Sequence, residues 1–225
     1  MMAFQDRSDA GRRLARELLH YKDRHPVVLA LPRGGVPVAA EVAAALDAPL
    51  DLIIVRKIGV PTQPELAAGA VVDGAKPIIV RNEDVIRFAD VSEQEFERIC
   101  AEELAEIERR RQRYIGSRAR AEVAGQVAII IDDGIATGAT TKAAVKATRE
   151  RGPRLLVLAV PVAPPETVEE LRPMVDDLVC LETPGLFGAI GYFYNDFRQI
   201  EDDEVEQILN RFPATRSAPG ATTKA

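Results

Sequence analysis

The chain has 225 residues, with 29 lysines and arginines against 35 aspartates and glutamates, a formal net charge of −6. The length fits one large domain or two small ones, and 47% hydrophobic with 28% charged residues is the balance of an ordinary globular protein. That acidity argues against general nucleic-acid binding, which needs a basic face, and no run approaches the ~18 apolar residues of a membrane span. Cys100 and Cys180 stand alone and the histidines are His20 and His25, so neither a disulfide framework nor a Cys- or His-based metal site is expected. Met1 to Arg13 is polar, without a signal-peptide core, and the expectation is a reduced, cytoplasmic setting with no membrane partner.

Ser8 to Lys22 reads as an amphipathic helix capped by Ser8, with Leu14, Leu18 and Tyr21 on one face. Pro26 to Leu31 is a short continuous apolar run, the mark of a strand buried on both faces. Pro32-Arg33-Gly34-Gly35 breaks it, Val36 to Leu46 reads as a buried helix, and Leu50 to Val55 as a second strand. Arg56 to Glu65 looks like a loop, punctuated by Gly59, Pro61 and Pro64, and Ala67–Asp73 with Pro77–Val80 could form a hairpin across Gly74.

Asn82 to Glu122 is long and charged. Ser92 with Glu95 spells a capping box, and Phe96, Ile99, Cys100, Leu104, Ile107 and Tyr114 trace one helical stripe. Two readings stand: a solvated helix with one packed face, or a lid or dimer arm. Strands at Val127–Ile131, Leu155–Val160 and Asp177–Leu181 alternate with helices at Lys142–Arg151, around Val168–Leu171 and at Asp202–Phe212. Such alternation predicts an α/β fold with a parallel sheet of about five strands flanked by helices. Residues 1–212 read as a single domain, and 213–225 as a disordered tail of low apolar content.

The informative stretch runs from Val127 to Thr141. A hydrophobic strand enters two acids, Asp132 and Asp133, then the small-residue loop Gly134-Ile135-Ala136-Thr137-Gly138-Ala139-Thr140-Thr141, then a helix. Backbone N–H groups at a helix N-terminus cradle phosphate, small residues let an anion approach, and threonine hydroxyls donate to it. Two carboxylates beside a phosphate repel it, unless the ligand presents hydroxyl donors nearby or brings a divalent cation. A ribose 5-phosphate meets these conditions, with its vicinal diol on Asp132 and Asp133. The Walker spelling and the GxGxxG fingerprint are both absent. The plainer alternative is that the two acids end a strand and cap a helix.

Ile130 through Thr140 resembles the phosphoribosyl-pyrophosphate (PRPP) motif of the type I phosphoribosyltransferases, and a weaker resemblance extends from about Pro26 to Phe212. It implies a parallel sheet, a small hood closing on a nucleobase, and transfer of ribose 5-phosphate from PRPP to a nitrogen acceptor with release of pyrophosphate and with Mg2+. The cation would be carried by PRPP near Asp132 and Asp133, with no ligand held directly by the chain. Arg33-Gly34-Gly35 looks like the family's pyrophosphate loop, often with a cis non-proline peptide; a tight strand-to-helix turn is the plainer reading. Arg56-Lys57 is similar to the Arg-Lys pair of the orotate members, which leads to a mobile catalytic loop; an exposed basic pair at a strand end is the alternative. The helical segment 82–122 would be an insertion, and the hood would draw on the N-terminus and on residues 183–212. Members using 6-oxopurines carry an acid where this chain has Ala136, so the resemblance points away from hypoxanthine and guanine.

For the acceptor, the aromatic cluster from Gly185 to Phe197 supplies Phe193, Tyr194 and Asp196 as candidates, since aromatic faces stack on heterocycles. The same aromatics could instead complete the core beneath the last helix. Family members often dimerise, so a homodimer is a candidate partnership. Two other functions compete with transfer. One is a non-catalytic sensor of PRPP or a nucleotide on the same fold; the other is a PRPP synthetase, for which no second phosphate loop is seen.

Overall fold

A computed structural model describes residues 4–74 and 77–212; the expected tail at 213–225 lies outside them. In chain order the first elements are α1 (Arg7–Leu18), β1 (Val27–Ala30), α2 (Gly35–Leu46), β2 (Leu50–Leu52), β3 (Val55–Val60), β4 (Gln63–Val72) and β5 (Ile78–Arg81). There follow α3 (Glu83–Phe88), α4 (Glu93–Tyr114), β6 (Val127–Ile131), α5 (Ala139–Glu150), β7 (Leu155–Val162), α6 (Pro165–Leu171), β8 (Asp177–Glu182) and α7 (Asp202–Leu209).

The apolar runs become one parallel five-stranded sheet in the order β2-β1-β6-β7-β8. Successive side chains point to opposite faces, and both faces are covered. Val28, Ala30, Ile129 and Ile131 pack with Leu14, Leu18, Val38 and Val42 of α1 and α2. Leu29, Ile130, Leu158 and Val160 pack with Ala144, Val168 and Leu171 of α5 and α6. Each isoleucine of β6 is fully buried, which contributes about 1.5–3 kcal/mol per side chain. Strand order reverses between β1 and β6, and the crevice beyond the strand ends at such a reversal is where open α/β sheets bind ligands.

A second, antiparallel sheet has the order β3-β4-β5. It corrects the loop expected over 56–65, which is a hairpin with Lys57 paired to Ala70 and Ile58 to Gly69. Gly59 and the prolines mark an irregularity in the strands rather than their absence. The register shifts at Gly59, where a Cβ would lie 2.6 Å from the Pro64 carbonyl oxygen. The expected strand over 50–55 divides accordingly, β2 ending at Leu52 and Val55 opening the small sheet. The hairpin expected across Gly74 is present as β4 and β5.

The charged segment is α3 followed by α4, and α4 carries the expected capping box between Ser92 and Glu95. Its buried side chains are Phe96, Cys100, Ile107 and Tyr114, and they cluster with Ile58, Ala68 and Val71 of the small sheet. The outer face holds ion pairs such as Arg98–Glu102 and Arg109–Glu106, the pattern of a solvated helix with one packed face. The cap of α1 is Asp6 rather than Ser8: the Asp6 side chain accepts from Asp9 N–H at 2.7 Å, which places Ser8 inside the first turn. Helix α5 begins at Ala139, before the expected Lys142, and so takes in Thr140 and Thr141.

Candidate active site

The C-terminal ends of β1 and β6 meet at the reversal. Leu31 N–H donates to the Ile131 carbonyl at 2.9 Å, which seats the Pro32–Gly35 loop against Asp132 and Asp133. The Pro32–Arg33 peptide is cis. Gly34 lies so close to Asp133 that a Cβ there would fall 2.0 Å from Oδ2, and a Cβ on Gly35 would fall 2.9 Å from Asp132 Cα. Only glycine permits this approach of one loop to the other.

The two acids are held differently. Asp132 Oδ1 accepts from the Asp133 N–H at 2.9 Å. Asp133 Oδ2 accepts from Arg7 Nε at 2.7 Å, and both side chains of this pair are about nine-tenths buried, 9% and 11% exposed. Asp132 Oδ2 and Asp133 Oδ1 remain outside those two hydrogen bonds. Burial, and next the charge of Asp133, push the Asp132 carboxyl well above the usual carboxylate range. Burial raises Asp133 as well, against the opposing pull of Arg7.

Beyond the acids the loop is pinned at its back. Ile135 N–H donates to the Val162 carbonyl at 2.9 Å, and Thr167 Oγ1 donates to the Ala136 carbonyl at 2.9 Å. Gly138, at φ +74°, caps α5 without a side-chain hydrogen bond, and among the described residues no side chain satisfies the first N–H groups of that helix. Those unpaired donors and the positive end of the helix dipole make an anion cradle. Ala136, Thr137, Ala139 and Thr140 are exposed around it, whereas Gly134, Ile135 and Thr141 are buried.

The cations divide. Arg56 and Lys57 are consecutive on β3 and so point to opposite faces. Arg56 Nε bonds Glu103 of α4 at 2.6 Å. Lys57 faces the other way, into a cleft of about 560 Å³ that Thr137, Ala139, Thr140, Lys142 and Lys146 also line. Lys57 Nζ donates to the Glu65 carbonyl at 3.1 Å and to its carboxylate at 3.3 Å. Arg33 reaches Asp202 of α7 at 3.4 Å, and Asp202 also accepts from Tyr114 and Arg113.

Phe193 and Tyr194 are buried in a small core with Phe4, Ala10 and Val162, Phe193 stacking on Phe187 at 5.3 Å. The Tyr194 hydroxyl donates to the Asp133 carbonyl at 2.5 Å. Asp196 is exposed and accepts from the Arg198 N–H. Sequence reasoning missed Arg7. It also missed the pairing that delivers it, in which Phe4 N–H donates to the Phe193 carbonyl, Asn195 N–H to Phe4 and Asp196 N–H to Gln5. The available signal was an arginine on the otherwise apolar face of α1, at the spacing of Ala10 and Leu14.

Residues 3–190 match the family model of the phosphoribosyl transferase domain. Two Mycobacterium tuberculosis proteins named "Putative phosphoribosyl transferase", from strains H37Rv and CDC 1551, are each 47% identical over 211 residues. Those residues are 94% of this chain and 47% of each relative, so the chain spans about half the length of the curated relatives it matches. The crystal structure of TT1426 from Thermus thermophilus is similar with a TM-score of 0.82 and 41% identity, covering 94% of this chain and 100% of that one.

Proposed function

The chain belongs to the phosphoribosyltransferase family, and on that premise we propose that it transfers ribose 5-phosphate from PRPP to a nitrogen acceptor, a nucleobase, releasing pyrophosphate. One observation carries the reading. Two neighbouring carboxyl groups, Asp132 and Asp133, both raised by burial, stand immediately before a helix N-terminus that has no side-chain cap. A vicinal diol needs two acceptors and its 5-phosphate needs unpaired N–H donors, and both are supplied within ten residues, Asp132 to Thr141.

In this reading the loop from Gly134 to Thr141 anchors the 5-phosphate, through backbone N–H groups and the open hydroxyls of Thr137 and Thr140. Asp132 and Asp133 hold the ribose hydroxyls, and their charge tolerates the cation that develops at the anomeric carbon as the bond to pyrophosphate breaks. Arg33, Gly34 and Gly35 receive the leaving group, and Lys57, with Arg56 behind it on β3, adds positive charge. Tyr194 fixes the Asp133 carbonyl from below, which leaves the exposed Asp196 as the acceptor-side group of the late segment. The hood would close from residues 183–212 and the N-terminus to exclude water.

Asp133 Oδ2 is taken by Arg7, and among the described residues no three acidic, histidine or cysteine side chains cluster as a ligand set. Mg2+, in this proposal, arrives on PRPP and takes no ligand from the chain.

A second reading, PRPP sensing without turnover, has its own support: Arg33, a cation assigned to the leaving group, is engaged by the partly buried Asp202. Incubation with PRPP, Mg2+ and a panel of nucleobases separates the two. Base-dependent pyrophosphate release, with the matching nucleotide seen by mass spectrometry, is the expected result. Tight PRPP binding with no release would replace transfer by sensing, and no PRPP binding would end both.

A further inference from the structure

We infer that Arg7 is a positioning residue of the PRPP site, acting through Asp133: it ties down one carboxylate oxygen so that the other is presented to the ribose diol. The inference rests on the functional reading above and adds a residue to that site from outside its motif. Arg7 is the first residue of α1, and its guanidinium is spent entirely on this corner of the molecule. Nε donates to Asp133 Oδ2 at 2.7 Å and Nη1 to the Arg198 carbonyl at 2.9 Å, while the plane lies over the Phe197 ring with its carbon 3.9 Å from the centroid.

Several elements fix the arginine in place. Asp6 caps the helix that begins with it, and residues 4–5 are laced by backbone bonds to 193–196. Gly34 packs against the same carboxylate, since a Cβ there would fall 2.0 Å from Oδ2. Tyr194 holds the backbone of the same aspartate. Asp133 therefore has little freedom to rotate: turning it would strip a buried guanidinium of its partner, a loss that buried pairs resist. Ion pairs on the surface cannot orient a carboxylate in this way, because water replaces the lost partner. A lysine at position 7 keeps the charge but cannot hold the aspartate, the Arg198 carbonyl and the aromatic face together.

The test compares two ligands by calorimetry in wild type, Arg7→Met and Arg7→Lys. PRPP with Mg2+ uses the acids; pyrophosphate with Mg2+ uses the Pro32–Gly35 loop and not the diol acceptors. The expected result is a Kd for PRPP at least tenfold weaker in Arg7→Met, partial recovery in Arg7→Lys, and a pyrophosphate Kd within about twofold of wild type in both. In turnover, KM for PRPP should rise more than kcat falls, since saturating substrate restores the complex. Unchanged PRPP affinity in Arg7→Met overturns the inference while leaving the functional reading intact. Equal losses of both ligands in a folded Arg7→Met also overturn it, as the sign of general damage. Should Arg7→Met fail to fold, Arg7→Lys decides by the same pair of affinities. Absence of PRPP binding in the wild type overturns the functional reading and this inference with it.

Discussion

Arg7 with Asp133 and Arg109 with Glu106 are the same two chemical groups at the same 2.7 Å separation, set in opposite surroundings. The first pair is about nine-tenths buried at the C-terminal edge of the parallel sheet; in the second, on the outer face of α4, the arginine side chain is 57% exposed. Buried, the pair fixes geometry: the aspartate cannot move without stranding a cation. Exposed, it fixes nothing, since water and salt stand ready for either partner. The count of ion pairs, which favours α4, therefore says little about where the fold is held or where chemistry is done.

The comparison can be broken most forcefully at Asp133. Asp133→Ala leaves the Arg7 guanidinium buried without its partner, and the expected loss is about 3–5 kcal/mol in urea unfolding; a loss as small as that of a surface variant would erase the distinction between the two pairs. A milder probe is pH. Because burial and the neighbouring charge hold Asp132 well above the usual carboxylate range, PRPP affinity should begin to weaken on acidification before an exposed aspartate would start to protonate. For folding the sign is opposite. The native state binds that proton more tightly than the unfolded chain, so this group's contribution is fully present at low pH and is lost as pH rises through its folded-state value. Titration of PRPP affinity against pH, beside urea midpoints on the same buffers, checks both directions.

The smallest effect belongs to α4. Glu106 is held at about 2, first by its bond to Arg109 and then by Arg110, so any stability it contributes is present above about 4.5 and fades as pH falls toward 2. Glu106→Gln should leave the thermal midpoint at neutral pH unchanged within error and PRPP affinity untouched. A clear loss of either would give the surface network a role that its exposure denies.

What could be read from the sequence was what is local. Val127 to Ile131 announces a buried strand because every residue is apolar, and Asp132 to Thr141 carries its acids and its small-residue turn in one contiguous stretch. The capping box of α4 is likewise complete within four residues, Ser92 to Glu95. The hairpin at 55–72 was obscured because Gly59, Pro61 and Pro64 are loop formers, and here they serve a register shift and a turn. Arg7 was hidden for another reason: its partner lies 126 positions away, and no periodicity reports on contacts of that kind. The aromatic cluster near Tyr194 was visible as composition, but not the direction of its hydroxyl, which the packing of Phe4 and Phe197 around the ring decides.

The lacing of residues 4–5 to 193–196 bears on how the protein is made. Arg7 is synthesised 191 residues before Arg198, whose carbonyl it bonds, and the Phe197 ring that it covers comes just before that. Over that interval α1 carries a guanidinium whose full set of partners is not yet made, and the five-stranded sheet can assemble before that corner does. The corner around Asp133 should thus become ordered abruptly, when residues 193–198 dock on residues 4–7, rather than gradually as the sheet grows.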